Sequence, residues 1–121
     1  MDNYFEKFSV YKKSLEVAKE VDGLCKKAKG QEFNYLKDQI RRAASSILLN
    51  LAEGSGKWTK KDKANFYRIS RGSAFECIAA LDLFRAYKLV EDQAIALLKE
   101  QLKEIAGELQ ALIYSIEKRI K

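Results

Sequence analysis

The sequence predicts an all-α protein, an antiparallel up-down-up-down four-helix bundle, and three observations predict it. Apolar residues recur at alternating steps of three and four in four separate stretches, the spacing that puts them on one face of a helix. The connections between the stretches are short, which favours antiparallel neighbours. No stretch alternates apolar and polar residues as a half-buried strand would, and the chain contains no proline.

The first helix is expected over about 9–29, on Val10, Ser14, Val17, Val21, Leu24 and Ala28, flanked by Tyr11, Ala18 and Cys25. It should stop near Gly30, a residue suited to a left-handed cap. The second, over about 33–54, runs through Phe33, Leu36, Ile40, Ala43 and Ile47, and its spacing then lands on Asn50 and Gly54. The third, over about 60–88, uses Phe66, Ser70, Ser73, Cys77, Ala80, Phe84 and Tyr87, with the Thr59 hydroxyl placed to cap the amide of Asp62. The fourth, over about 91–119, is the most regular, with Ile95, Leu98, Leu102, Ile105, Leu109, Leu112 and Ile116 in unbroken register. No glycine or proline separates the last two stripes, but their phase slips around Lys88 to Glu91, which places a tight turn there. A long coiled-coil hairpin is the rival architecture, disfavoured because the stripes are wider than a two-position seam.

A chain of 121 residues and 13.9 kDa fits one domain, 1–121, with one sizeable core. No run of 18 apolar residues occurs and the first ten residues include acidic groups, so neither a membrane span nor a secretory signal is supported and a cytoplasmic protein is expected. Cys25 and Cys77 lack metal-site spacing and fall among apolar helix positions, where cysteine serves as a small core residue. There is no histidine, which removes the commonest general base and the commonest nitrogen ligand; no metal and no cofactor are expected. The net charge of +6 is uneven: +2 over residues 1–54, +5 over 55–90 and −1 over 91–121.

The positive excess starts at "AEGSGKWT", residues 52–59. "GSGK" resembles part of a nucleotide-binding loop, but a phosphate loop of that kind has a glycine where Leu51 stands and a serine or threonine where Trp58 stands. A helix, not a strand, also precedes it. Helix termination explains Gly54, Ser55 and Gly56 better, with the glycines taking a left-handed conformation, so the segment is expected to be a hinge. Trp58 is expected to seal the end of the bundle; the alternative is a stacking platform for an exposed base beside basic residues.

The second helix also carries a polar row, Gln39, Arg42, Ser46, Asn50 and Glu53, and the third carries Ser70, Ser73 and Glu76. Buried polar groups without partners cost a few kcal/mol each, so inward-facing rows must satisfy one another. A structural network of Arg42, Asn50, Glu53, Ser73 and Glu76 is expected, with Arg42 paired to Glu76. A surface pair of Arg42 with Asp38, four residues earlier, is the alternative.

The run "DQIRRAASSILLNLAEGSGKWTKKDKANFYRISRGSAFE", together with "FSVYKKSLEVAKEV", resembles the bacterial four-helix-bundle proteins first noticed as products of intervening sequences in 23S ribosomal RNA genes. The likeness spans nearly the whole chain, and "QIRRAASSI", "NLAEGSG" and "RGSAFE" carry it most specifically. A related branch comprises the accessory proteins of diversity-generating retroelements, pentameric rings with a basic surface that bind nucleic acid and a reverse transcriptase. The resemblance implies a four-helix bundle, a homo-oligomer of that ring type and no established enzymatic activity, and a non-enzymatic protein is expected.

The leading expectation is a basic surface for RNA or DNA, formed by Lys57, Lys60, Lys61, Lys63, Arg68 and Arg71 on the hinge and first turns of the third helix, with Lys61, Arg68 and Arg71 on one face. Such contacts position a strand without reading its sequence. An ordinary solvated helix face is the plain alternative. The rival function is a scaffold that recruits an enzyme such as a reverse transcriptase through exposed apolar residues, Phe75 and Leu48 being candidates. An enzyme ranks third, because Glu53 and Glu76 have no nucleophile or metal to work with.

Overall fold

The computed structural model describes residues 8–118. Four helices, α1 (Ser9–Lys27), α2 (Asn34–Ser55), α3 (Lys60–Ala86) and α4 (Asp92–Lys118), follow one another, with a 3-10 turn at Gln31–Phe33 before α2. Position 119, where the spacing put the end of the fourth helix, lies outside the described residues. Helix α1 packs on α2 and α4, and α3 packs on α2 and α4, which is the square of an up-down-up-down bundle. The apolar stripes meet in one core, with Leu36, Ile40, Ile47, Leu51, Tyr67, Leu81, Phe84, Ile95, Leu102, Ile105, Leu109 and Ile113 its largest buried side chains.

Helix α3 makes the most extensive seams, one with α2 and one with α4. Small residues are buried on both helices of the α2–α3 seam, Ala43, Ala44 and Gly54 on α2 and Ala64, Ser70, Ser73 and Ala74 on α3. A Cβ added at Gly54 would sit 2.9 Å from the Phe66 Cβ and from the Tyr67 ring, so only glycine lets the two backbones come this close. Neither Gly54 nor Gly56 takes a left-handed conformation: Gly54 lies inside α2, and Gly56 has φ −87°. The expectation that these glycines terminate a helix through positive φ is corrected to one of close approach at Gly54.

Gly30 does have a positive φ, +106°, but it begins the 3-10 turn; α1 has already ended at Lys27, with extended Ala28 after it. Thr59 caps α3 as expected, its side-chain oxygen accepting the Asp62 amide at 3.1 Å. The phase slip between the last two stripes has a definite cause. The Leu89 amide donates to the Phe84 carbonyl and the Lys88 amide to the Arg85 carbonyl, both at 3.0 Å, and Lys88 has φ +55°. This is a Schellman cap with lysine at the position usually held by glycine. Leu89 then packs against the core, which reverses the chain without a glycine or proline.

Two substitutions test these features. Lys88→Gly removes the left-handed strain and should stabilise the protein by about 1 kcal/mol, raising the melting temperature by about 4 °C. Gly54→Ala gains helix propensity but forces α2 off α3, and a net loss of about 1–2 kcal/mol in denaturant unfolding is expected.

Candidate nucleic-acid interface

The hinge between α2 and α3 is tied down by its backbone. The Gly56 amide donates to the Ala52 and Glu53 carbonyls and the Lys57 amide to the Gly54 carbonyl, so the chain folds back over the end of α2 before turning. Lys57 lies over the Phe66 ring, 4.9 Å from its centroid, and pairs with Glu53 at 3.2 Å. Trp58 is left outside, 99% exposed. The expectation that Trp58 seals the bundle end is therefore overturned. An indole bared to this extent forgoes the favourable burial usual for the largest apolar side chain.

The six expected basic residues divide by what they touch. Lys60 and Lys61 are exposed in the first turn of α3, next to Trp58 in sequence. Lys63 turns back and donates to the Ser55 carbonyl at 3.1 Å, placing a cation at the C-terminus of α2 where the helix dipole favours one. Arg68 is held by Glu117 of α4 and donates to the side-chain Oδ1 of Asn65 at 3.2 Å. Arg71 is half-buried and forms no ion pair among the described residues. Lys57, Lys63 and Arg68 thus have named partners within the fold, and Lys60 and Lys61, which follow Trp58 and Thr59 in the chain, are exposed.

The polar rows form a smaller network than the sequence suggests. Ser46 Oγ and Ser73 Oγ lie 2.8 Å apart across α2 and α3, and Asn50 Nδ2 donates to the Ser46 carbonyl at 2.9 Å and to Ser46 Oγ at 2.8 Å. Ser70 Oγ donates to the Ile47 carbonyl at 2.6 Å, and the Ser55 and Tyr67 hydroxyls meet at 2.9 Å. Arg42, Glu53 and Glu76 stay outside this network. All three are exposed, Glu53 pairs with Lys57, and among the described residues Arg42 is joined neither to Glu76 nor to Asp38. The physical reason is solvation: a charged group loses too much hydration to be buried without a partner, so these side chains stay in water and the seam is bridged by hydroxyls and an amide. Arg41 is the arginine that is held, donating to Asp22 Oδ1 of α1 at 3.0 Å. The Lys26 ammonium, and after it the Arg41 guanidinium, hold the Asp22 carboxyl below the ordinary carboxylate value.

Among the described residues no group of three or more His, Cys, Asp or Glu is placed to hold a metal. Both cysteines are buried, and burial pushes the Cys77 thiol up to about 12, which keeps it protonated and inert. Nor is any described helix long and apolar enough to cross a membrane.

Comparison with known proteins places this geometry. The model of the 23S rRNA-intervening sequence protein family matches residues 6–111. The chain belongs to this family. A solved structure from Bacteroides thetaiotaomicron, described as a protein of unknown function from the S23 ribosomal protein family, superposes with a TM-score of 0.78. It is 25% identical to this chain and covers 86% of it and 97% of its own length. No curated protein matches. The part of the chain that carries the 23S rRNA-intervening sequence signature includes both the hinge and the hydroxyl cross-links between α2 and α3, so these belong to the matched body of the fold and not to an appendage.

The division of the lysines is testable by separating stability from binding. Lys63→Gln should cost about 0.5–1 kcal/mol in chemical denaturation through loss of the α2 terminal contact. Ser73→Val, which removes the hydroxyl bridging the helices, should cost about 1–2 kcal/mol in the same measurement.

Proposed function

We propose that this protein is a non-enzymatic, self-associating bundle that binds single-stranded RNA or DNA at the α2–α3 hinge without reading its sequence. The carrying observation is Trp58, 99% exposed and directly followed by Thr59, Lys60 and Lys61. A flat aromatic surface beside exposed cations is the pairing that single strands use: bases stack on the ring and phosphates meet the ammonium groups. Helix α3 adds Arg71 farther along, and the +5 charge over residues 55–90 supplies longer-range attraction. Lys57, Lys63 and Arg68 take the part of supports in this reading, shaping the hinge through Glu53, Ser55 and Glu117. The rival reading, a scaffold that recruits an enzyme such as a reverse transcriptase, draws support from Phe75, which lies more than half exposed on α3; Leu48 is half-buried and supports it less.

Trp58 is the single tryptophan of the chain, so its fluorescence reports on the proposed site directly. Titration with unstructured oligonucleotides at low salt should quench it, and Trp58→Ala should weaken binding, followed by anisotropy of a labelled strand, by about tenfold or more. Lys60→Glu with Lys61→Glu should lower the slope of log affinity against log salt by at least about 1.4, two phosphate contacts' worth. Binding that is absent, or that ignores both salt and these changes, would leave the scaffold reading ahead.

A further inference from the structure

The seam between α1 and α4 is incompletely filled. Four cavities of about 320, 290, 290 and 320 Å³ lie along it, in the chain order of α1. The first opens between Val10 and Leu112, the second between Glu16 and Gln101, the third between Gly23 and Leu97, and the last beside Leu24, Val90 and Ala94. The two helices run antiparallel, and the 19 residues of α1 give the row a length of about 28 Å. Lys13 bridges the first two cavities, meeting Glu108 at 2.8 Å and Glu104 at 3.3 Å. Gly23 adds width, since nothing lies within 4 Å of the Cβ it lacks.

Three features define what fits this groove. Its ends are apolar, with Val10, Ala111 and Leu112 at one and Leu24, Leu97 and Leu98 at the other. Its middle holds the buried Gln101 Oε1, which has no hydrogen-bond partner among the described residues; an acceptor left so is costly and calls for a donor. Its rim is acidic: five carboxylates, Glu16, Glu20, Glu91, Glu104 and Glu108, face three ammonium groups, Lys12, Lys13 and Lys27, a local charge of −2 in a chain of net charge +6.

We infer that the groove is the docking site for a basic amphipathic helix of another protein. A third helix laid in the trough between two antiparallel helices buries its apolar stripe against both, with anchors at steps of three and four. A segment of about 18 residues spans the groove. Apolar anchors near its two ends occupy the Val10–Leu112 and Gly23–Leu97 cavities, an amide or guanidinium at its middle donates to Gln101, and lysines or arginines on its flanks face the acidic rim. The same rim repels nucleic acid, so this surface is separate from the α2–α3 hinge and does not rest on the reading of Trp58.

A synthetic peptide of about 18 residues, with leucines on one face, lysines elsewhere and one arginine midway along the leucine face, is the probe; a counterpart with glutamate for every lysine is the control. Calorimetry at low salt should show one basic peptide bound per chain, with helix gained on binding by circular dichroism and the acidic counterpart at least about tenfold weaker. Gly23→Leu, which fills the groove, and Glu16→Lys with Glu20→Lys, which reverses its rim, should each weaken the basic peptide by about tenfold while the helical circular dichroism of the protein persists. Gln101→Leu should act in two directions, raising the melting temperature by removing the orphaned acceptor while weakening the peptide by about fivefold. Equal binding of the two peptides, or binding indifferent to these substitutions, overturns the proposal. So does concentration-dependent protection of Leu97→Cys from maleimide in the peptide-free protein, which puts a second copy of the chain in the groove. Quenching of Trp58 by oligonucleotides is a separate measurement, and either reading can fail without the other.

Discussion

The close approach of α2 to α3 is the constraint on which the rest of the structure depends. Gly54 admits the Phe66 and Tyr67 side chains to within contact of its backbone, and the alanines and serines along the seam hold the two helices near each other throughout. Hydroxyl groups that would cost stability if left unpaired are satisfied across or along this gap, Ser70 on the Ile47 carbonyl, Ser73 on Ser46, Tyr67 on Ser55. These bonds act less as glue than as register marks. A hydroxyl facing the wrong turn of the neighbouring helix would be buried without a partner, so sliding by one turn is penalised several times over.

Arg42, Glu53 and Glu76 lie exposed on their helices, outside the hydroxyl-bonded seam. At the hinge Lys57 lies over the Phe66 ring and the backbone closes on the end of α2, while Trp58, Lys60 and Lys61 stay exposed.

The α1 side of the bundle is held differently. Here long polar side chains bridge at the rim: Lys13 reaches both Glu104 and Glu108 of α4, and Asp22 accepts from Lys26 and Arg41. Such exposed pairs contribute little to stability individually and are screened by salt. They orient α1, while its buried Val10, Val17, Val21 and Leu24 hold it in place. The half of the molecule built on hydroxyl register marks thus carries the candidate nucleic-acid surface, and the α1 side carries the groove.

Local chemistry in the sequence was enough to determine the four helices, the all-α bundle, the Thr59 cap and the inert cysteines, because periodicity, capping and free-thiol burial depend on residues close in the chain. It also located the turn at Lys88 through the broken phase, though not the Schellman cap that makes it. The tertiary structure alone decided which polar residues of α2 and α3 meet. Arg42 and Ser46 lie on the same row of one helix and are indistinguishable by spacing, yet Ser46 meets Ser73 across the seam while Arg42 stays in solvent, where its charge remains hydrated. It decided the fate of Trp58 as well, since whether an aromatic at a helix hinge is buried depends on which neighbour has already covered the core. That is a competition for space between residues whose positions are set only when the helices pack.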